Sequence, residues 1–306
     1  MNIRRLTAMG AVALFALTAC SDPNAADDQE NSDEAGAAAE TIRVGSANFP
    51  ESEIIGEIYA QALEAEDFEV ERNFQIGARE VYLPALEDGE IDLMPEYTGN
   101  LLSYLDPETT ATEAETIETE LQDALPEGLD ILESAPAENK DSLNVTPEFA
   151  ETHELSSIGD LAELDQVRLA ANPEFAERSY GLPGMEELYA ITDVDFTAIS
   201  DGGGPATVQA LLDGTVDVAD IYTTTPAIDE HDLVTLEDPE SMIAAQFVVP
   251  VVRTDAFDDT AIDILNSVSA ALTTEDLMEM NALNSGGDVQ EPAEIATNWL
   301  EDNDLS

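Results

Sequence analysis

Residues 85–98 (ALEDGEIDLMPEYT) and 210–223 (ALLDGTVDVADIYT) are two copies of one word, seven of fourteen positions identical at a constant offset of 125 (210 − 85 = 222 − 97 = 125). Residues 77–79 (GAR) align with 202–204 (GGG) at the same offset. Each copy runs from a glycine-containing loop through a helix, an Asp-Gly stop and a short apolar strand to Tyr-Thr. The strand's carboxyl end therefore presents a ring, Tyr97 or Tyr222. In open α/β sheets, ligands bind outside the carboxyl ends of the strands. The repeat implies two lobes, a cleft between them and one tyrosine at each lip.

A length of 306 residues suits two domains, and a hydrophobic fraction of 43% suffices for their cores. A strand at 41–46, an amphipathic helix at 51–65, a strand at 70–74, a helix at 80–87 and a strand at 91–94 set up a βαβαβ rhythm, the mark of a parallel sheet. A polar, helix-forming connector spans 107–125, and residues 143–145 read as the crossing to a second lobe. That lobe carries a helix at 157–164, a strand at 168–171, a helix at 182–190, and the repeated helix and strand at 208–212 and 216–221. The apolar run at 248–252 (VVPVV) reads as the return crossing, followed by helices at 273–283 and 291–300, the last anchored by Trp299. The first lobe is thus discontinuous, 41–144 plus 251–306, around a second lobe at 145–250. A hinge of two crossings permits closure around a ligand.

Charge removes whole classes of function. There are 68 acidic residues against nine basic ones, and Lys140 is the only lysine. Such a chain repels phosphate backbones and anionic lipid surfaces, so nucleic acid is not a partner. The acids are interspersed with apolar residues at helical spacing, as at 51–58 (ESEIIGEI), which is a folded helix with a solvated acidic face. An acidic, lysine-poor composition points to adaptation to high salt, where screening removes the self-repulsion. The alternative is an ordinary acidic extracytoplasmic protein.

Residues 1–20 read as an export signal, with Arg4 and Arg5 ahead of a short apolar stretch at 8–19. That stretch is too short to span a membrane. It ends Leu17-Thr18-Ala19-Cys20, which resembles a bacterial lipobox. Cys20, the sole cysteine, is the expected lipidation site, and no disulfide can form within the chain. Residues 21–40 are small, acidic and without apolar periodicity, the composition of a disordered tether.

Catalytic signatures are missing. His153 and His231 lie in polar stretches, no cysteine remains after processing, and residues 202–205 (GGGP) lack the lysine of a phosphate cradle. Calcium-loop spacing is missing too. No catalytic residue, cofactor or metal site is expected. The residues suit recognition instead. Two facing tyrosines can close on an apolar or cationic group, or each can be a core ring with a satisfied hydroxyl. Helix N-termini after Gly77 and Gly204 offer N–H groups to an anionic end. Arg178, scarce in such a chain, is either an ion-pair partner or a carboxylate clamp.

The stretches 44–65 (VGSANFPESEIIGEIYAQALEA), 83–99 (LPALEDGEIDLMPEYTG), 203–228 (GGPATVQALLDGTVDVADIYTTTPAI) and 244–253 (AAQFVVPVVR) resemble the substrate-binding proteins of ABC importers for osmoprotectants such as glycine betaine, choline and carnitine. The resemblance runs from about residue 44 to 305. It implies an α/β type II periplasmic-binding-protein fold with a discontinuous first lobe. It also implies a cage of tyrosines with an arginine for the ligand's carboxylate, in which Tyr97 and Tyr222 keep two cage positions and Arg178 the arginine. Asp141 and Gln246 stand where other cage tyrosines often lie, and Ala47 where many members have lysine. Asn139 and Asn100 replace other polar contacts. Thr98 and Thr223, which follow the tyrosines, and Asn48 complete the candidate contacts. A half-cage with an aspartate can hold a cation by charge in place of a ring, or can hold a more polar solute. The expected protein is a non-enzymatic, extracytoplasmic binder, lipid-anchored at Cys20, that delivers an osmoprotectant to an ABC permease. The alternatives are a binder of another polar solute such as an amino acid, an enzyme on the same fold, or a sensor subunit.

Overall fold

A computed structural model describes residues 41–285 and 289–306; the expected signal peptide, Cys20 and the tether lie outside the described residues. The chain begins with β1 (Ile42–Gly45), α1 (Pro50–Ala65), β2 (Val70–Asn73), α2 (Arg79–Glu87), β3 (Leu93–Tyr97), α3 (Thr98–Leu105), α4 (Ala114–Ala124) and β4 (Leu129–Ile131). It continues through β5 (Leu143–Val145), α5 (Pro147–His153), β6 (Val167–Ala171), α6 (Leu182–Tyr189), β7 (Val194–Ala198), α7 (Pro205–Leu212), β8 (Val218–Asp220), α8 (Ala227–Glu230) and β9 (Val234–Thr235). It ends with β10 (Val248–Arg253), α9 (Asp259–Ala271), α10 (Thr274–Ser285) and α11 (Pro292–Asp302).

Two five-stranded sheets result, ordered β2-β1-β3-β10-β4 and β7-β6-β8-β5-β9. Each has parallel pairs at one end and antiparallel pairs at the other, so the second order is the first translated element by element. The sequence repeat is this correspondence: α2 and β3 match α7 and β8 at the offset read from the sequence. Gly89 and Gly214 end the two helices in the left-handed region, at φ of +71° and +67°, where a side chain would be strained. An ion pair repeats as well. Arg43 and Arg168 open the equivalent strands β1 and β6, and each holds an aspartate 49 residues on, Asp92 at 2.8 Å and Asp217 at 2.9 Å. These pairs fasten the turn ahead of each central strand to its neighbour.

Three expected segments fall elsewhere. The strand expected at 91–94 runs over Leu93–Tyr97 instead, because β10 pairs antiparallel with it as far as Val248 opposite Tyr97. Residues 143–145 and 248–252, read as crossings, are strands β5 and β10 within the two sheets. Both are buried along their length, and the unbroken apolar run at 248–252 is that of a strand covered on both faces. The links themselves are the mixed-polarity stretches 132–142 and 236–247. They run side by side, with Ala135 N–H bonded to Val248 O at 2.8 Å, Val248 N–H to Ala137 O at 3.0 Å and Asn139 N–H to Gln246 O at 3.1 Å.

Lobe one packs α1, α9, α10 and α11 on one sheet face around Ile55, Ile58, Leu265 and Trp299, and α2, α3 and α4 on the other around Leu86, Leu101 and Leu121. Lobe two is also covered on both faces, by clusters centred on Leu169 and Ala170. Both central strands are thereby fixed, and their carboxyl ends face the gap between lobes.

Candidate functional site

Tyr97 ends β3, and Tyr222 follows β8 by two residues; both line one cavity between the lobes. Phe49, just ahead of α1, sits between them, its ring 6.1 Å from that of Tyr97 and 5.6 Å, edge-on, from that of Tyr222. Both hydroxyls are engaged. Tyr97 donates to Glu51 Oε1 at 2.5 Å, and Tyr222 Oη accepts from Asn172 Nδ2 at 2.9 Å. Tyr97 therefore offers the cavity ring surface, and Tyr222, whose hydroxyl accepts in this bond, offers its ring and an O–H donor. Tyr82 and Tyr180 line the same space. Tyr82 donates to Glu96 Oε1 at 2.7 Å, and Tyr180 stands edge-on to Phe175 at 6.4 Å. Burial raises the pKa of all four hydroxyls, so the rings are neutral at physiological pH. The aromatic lining is fuller than the half-cage expected from the sequence.

Glu51 organises this region. Its buried carboxylate accepts from Tyr97 Oη on β3, Asn139 Nδ2 on the first link (2.7 Å), Thr224 Oγ1 in lobe two (2.6 Å) and Asn281 Nδ2 on α10 (2.6 Å). One side chain thus joins both lobes and the hinge. Gly202, in the loop before α7, lies so close that a Cβ there would stand 2.9 Å from Phe49 Cβ.

The charged groups divide into satisfied pairs and one unsatisfied cluster. Arg79 is 12% exposed and forms a forked pair with Glu96, at 2.8 and 2.7 Å. Burial opposes the Arg79 charge, but the Glu96 carboxylate together with the Tyr82 and Tyr180 hydroxyl oxygens outweighs it and raises the pKa further. Arg178 reaches from lobe two to Glu80 on α2 at 2.6 Å, its guanidinium 5.1 Å above the Tyr104 ring. Arg178 thus pairs with Glu80 across the cleft while lining the cavity. Asp141 and Asp220 both line the cavity and both are buried. Asp141 accepts from Asn100 Nδ2 at 2.9 Å. Burial, then the neighbouring Asp141 charge, lifts Asp220 well above the usual carboxylate range.

Of the candidate contacts, Tyr97, Tyr222, Arg178, Asp141, Asn139 and Asn48 line the cavity. Gln246, Thr98 and Thr223 stand one layer back. Gln246 clasps Asn100 through bonds of 2.6 and 2.9 Å, Thr98 Oγ1 accepts from Phe247 N–H at 3.2 Å, and Thr223 Oγ1 accepts from Lys140 N–H at 3.0 Å. The α7 N-terminus, expected to receive an anionic group, is occupied by Asp201, whose Oδ2 accepts from the N–H groups of Ala206 at 2.7 Å and Thr207 at 3.2 Å. Neither histidine lines this cavity, and both are exposed. Tyr82, Tyr180, Phe49, Glu96 and Asp220 were not singled out in the sequence. Asp220 carried a readable signal, two residues before the repeated tyrosine, whereas Tyr180 lies outside the repeat.

The family described as the substrate binding domain of ABC-type glycine betaine transport systems matches residues 40–302. The chain is 29% identical over 259 residues to the glycine betaine-binding protein YehZ of Escherichia coli (strain K12), covering 80% of this chain and 85% of that one. It is 28% identical over 286 residues to a glycine-betaine-binding protein of Pseudomonas aeruginosa, covering 88% and 90%. Among solved structures, a glycine betaine/carnitine/choline ABC transporter protein superposes with a TM-score of 0.68 at 20% identity, covering 86% of this chain and 99% of that one. The last likeness establishes the two-lobed fold.

Proposed function

This chain belongs to the family of substrate-binding domains of ABC-type glycine betaine transport systems, and on that premise we propose that it captures a quaternary ammonium osmoprotectant between its lobes and hands it to an ABC permease. The observation that carries the ligand class is the cavity wall. Tyr82, Tyr97, Tyr180 and Tyr222 present neutral ring surface beside buried Asp141 and Asp220. A trimethylammonium group has no N–H to donate, so hydrogen-bond acceptors give it nothing directional. It is held by ring faces, at about 0.5–2 kcal/mol per ring, and by nearby negative charge. The lobes, joined through the links at 132–142 and 236–247, act as clamshell halves, and Glu51 and the Arg178–Glu80 pair tie them when closed. The protein is a binder and not an enzyme. It works outside the cytoplasm, tethered through a lipid on Cys20, with an acidic surface suited to high salt.

A thermal-shift panel of glycine betaine, choline, carnitine, ectoine, proline and other amino acids, run at high salt, tests this reading. The quaternary ammonium compounds should raise the melting temperature most. A shift confined to amino acids would replace the ligand class, and with it the role assigned to the tyrosines. Replacing Cys20 by serine should release the protein from membranes while leaving binding unchanged.

A further inference from the structure

Asp220 closes β8 and Asp141 lies two residues ahead of β5. The pairing of Leu143 with Asp220 across those strands brings the two carboxyls together on the cavity wall. Asp220 is 1% exposed and Asp141 8%. Burial, then the neighbouring Asp141 carboxyl, raises the Asp220 pKa, and the Ser142 backbone N–H opposes this. Asp220 Oδ1 is buried and has no hydrogen-bond partner among the described residues. Two buried carboxyls brought side by side on one cavity wall disfavour double ionisation.

The groups around the pair cannot neutralise it otherwise. Arg79 on α2 is held by Glu96 of β3, and Arg178 by Glu80 of α2. Tyr180 ahead of α6 and Tyr222 after β8 are neutral, and Glu174 adds a further carboxyl to the lining. Asn100 on α3 gives Asp141 one N–H.

We propose that Asp141 and Asp220 hold one proton between them, and that the site takes a permanently cationic quaternary ammonium alcohol in exchange for it. The inference rests on the quaternary ammonium reading above and specifies the other end of the molecule. On binding, the cation enters, the O–H bond of the pair breaks and the proton leaves to solvent, so the charge of the cavity is unchanged. A zwitterion brings its own carboxylate beside the pair and leaves the proton in place. The sign follows from linkage. A bound cation favours the ionised pair and lowers its pKa. Between the bound and free values affinity rises with pH, by at most about tenfold per pH unit for one proton. Below the bound value it is flat.

Calorimetric titration of the wild-type protein with choline and with glycine betaine tests this. It is run between about pH 5 and 8 at constant salt, in paired buffers of different ionisation enthalpy. Choline should bind more tightly as pH rises, with buffer-dependent heats that report up to one proton released. Glycine betaine should show no such rise. Asp220→Asn, folded as judged by melting, should bind choline with the pH slope lost. Choline binding with equal heats in both buffers and no pH dependence would overturn the exchange and leave the functional reading intact. No binding of either compound at any pH would overturn both.

Discussion

Tyr97 carries two roles on separate atoms. Its ring faces the cavity, and its hydroxyl is one of four donors to Glu51. Tyr97→Phe should therefore keep most ligand affinity and cost about 1 kcal/mol of stability, the worth of one hydrogen bond. Tyr97→Ala and Tyr222→Ala should each abolish or greatly weaken binding. Their effects should not add, because both rings pack on Phe49. Calorimetry on the single and double variants reads both points, and unchanged affinity in the two alanine variants would make the rings structural. Glu51→Gln keeps the shape but sets an NH2 group against donors already aimed at it. A loss of about 1–3 kcal/mol in stability is expected, measured by denaturant unfolding.

At the scale of elements, the two glycine turns separate strain from closure. Gly202 and Gly214 both hold φ near +67°, at +66° and +67°. A methyl at Gly214 meets open space, whereas one at Gly202 meets Phe49 of the other lobe at 2.9 Å. Both alanine variants should lose about 1–2 kcal/mol of stability to left-handed strain. Gly202→Ala alone should also lose ligand affinity, because its methyl props the lobes apart; equal affinities would refute this use of the loop. The same repeat explains what could be read from the sequence. Helix, stop and strand occur twice in register, so α2, β3, α7 and β8 were legible along with the two tyrosines they deliver. The Arg43–Asp92 and Arg168–Asp217 pairs share that register and could have been found by extending it. β5 and β10 could not be told from crossings, since apolar residues such as Leu143, Val145 and the run at 248–252 say that a segment is buried but not which sheet buries it. α9 went unread although Asp258 caps it through the Ala261 N–H at 2.9 Å. Tyr82 and Tyr180 reach the cavity only through tertiary placement, which no local pattern encodes.

Over the whole molecule the charge is lopsided in a specific way. Arg43, Arg72, Arg79, Arg168, Arg178, Arg253 and Lys140 all sit in ion pairs. Most of the 68 acids therefore have no cation to face. Their mutual repulsion acts over about 8 Å at physiological salt and about 30 Å at 0.01 M. The melting temperature should climb as salt rises from about 0.01 M to molar concentrations, and a flat profile would contradict adaptation of this surface to salt. The same excess of acid favours a cationic guest, which bears on the central claim that the cleft holds a quaternary ammonium group by ring faces and charge together. The most direct test is calorimetric comparison, at high salt, of choline with its uncharged carbon isostere, in which a tert-butyl group replaces the trimethylammonium. The two molecules fill the same volume and differ only in charge. Choline should bind and the isostere should give no measurable heat of binding; equal affinities, or no binding of choline, would contradict the account.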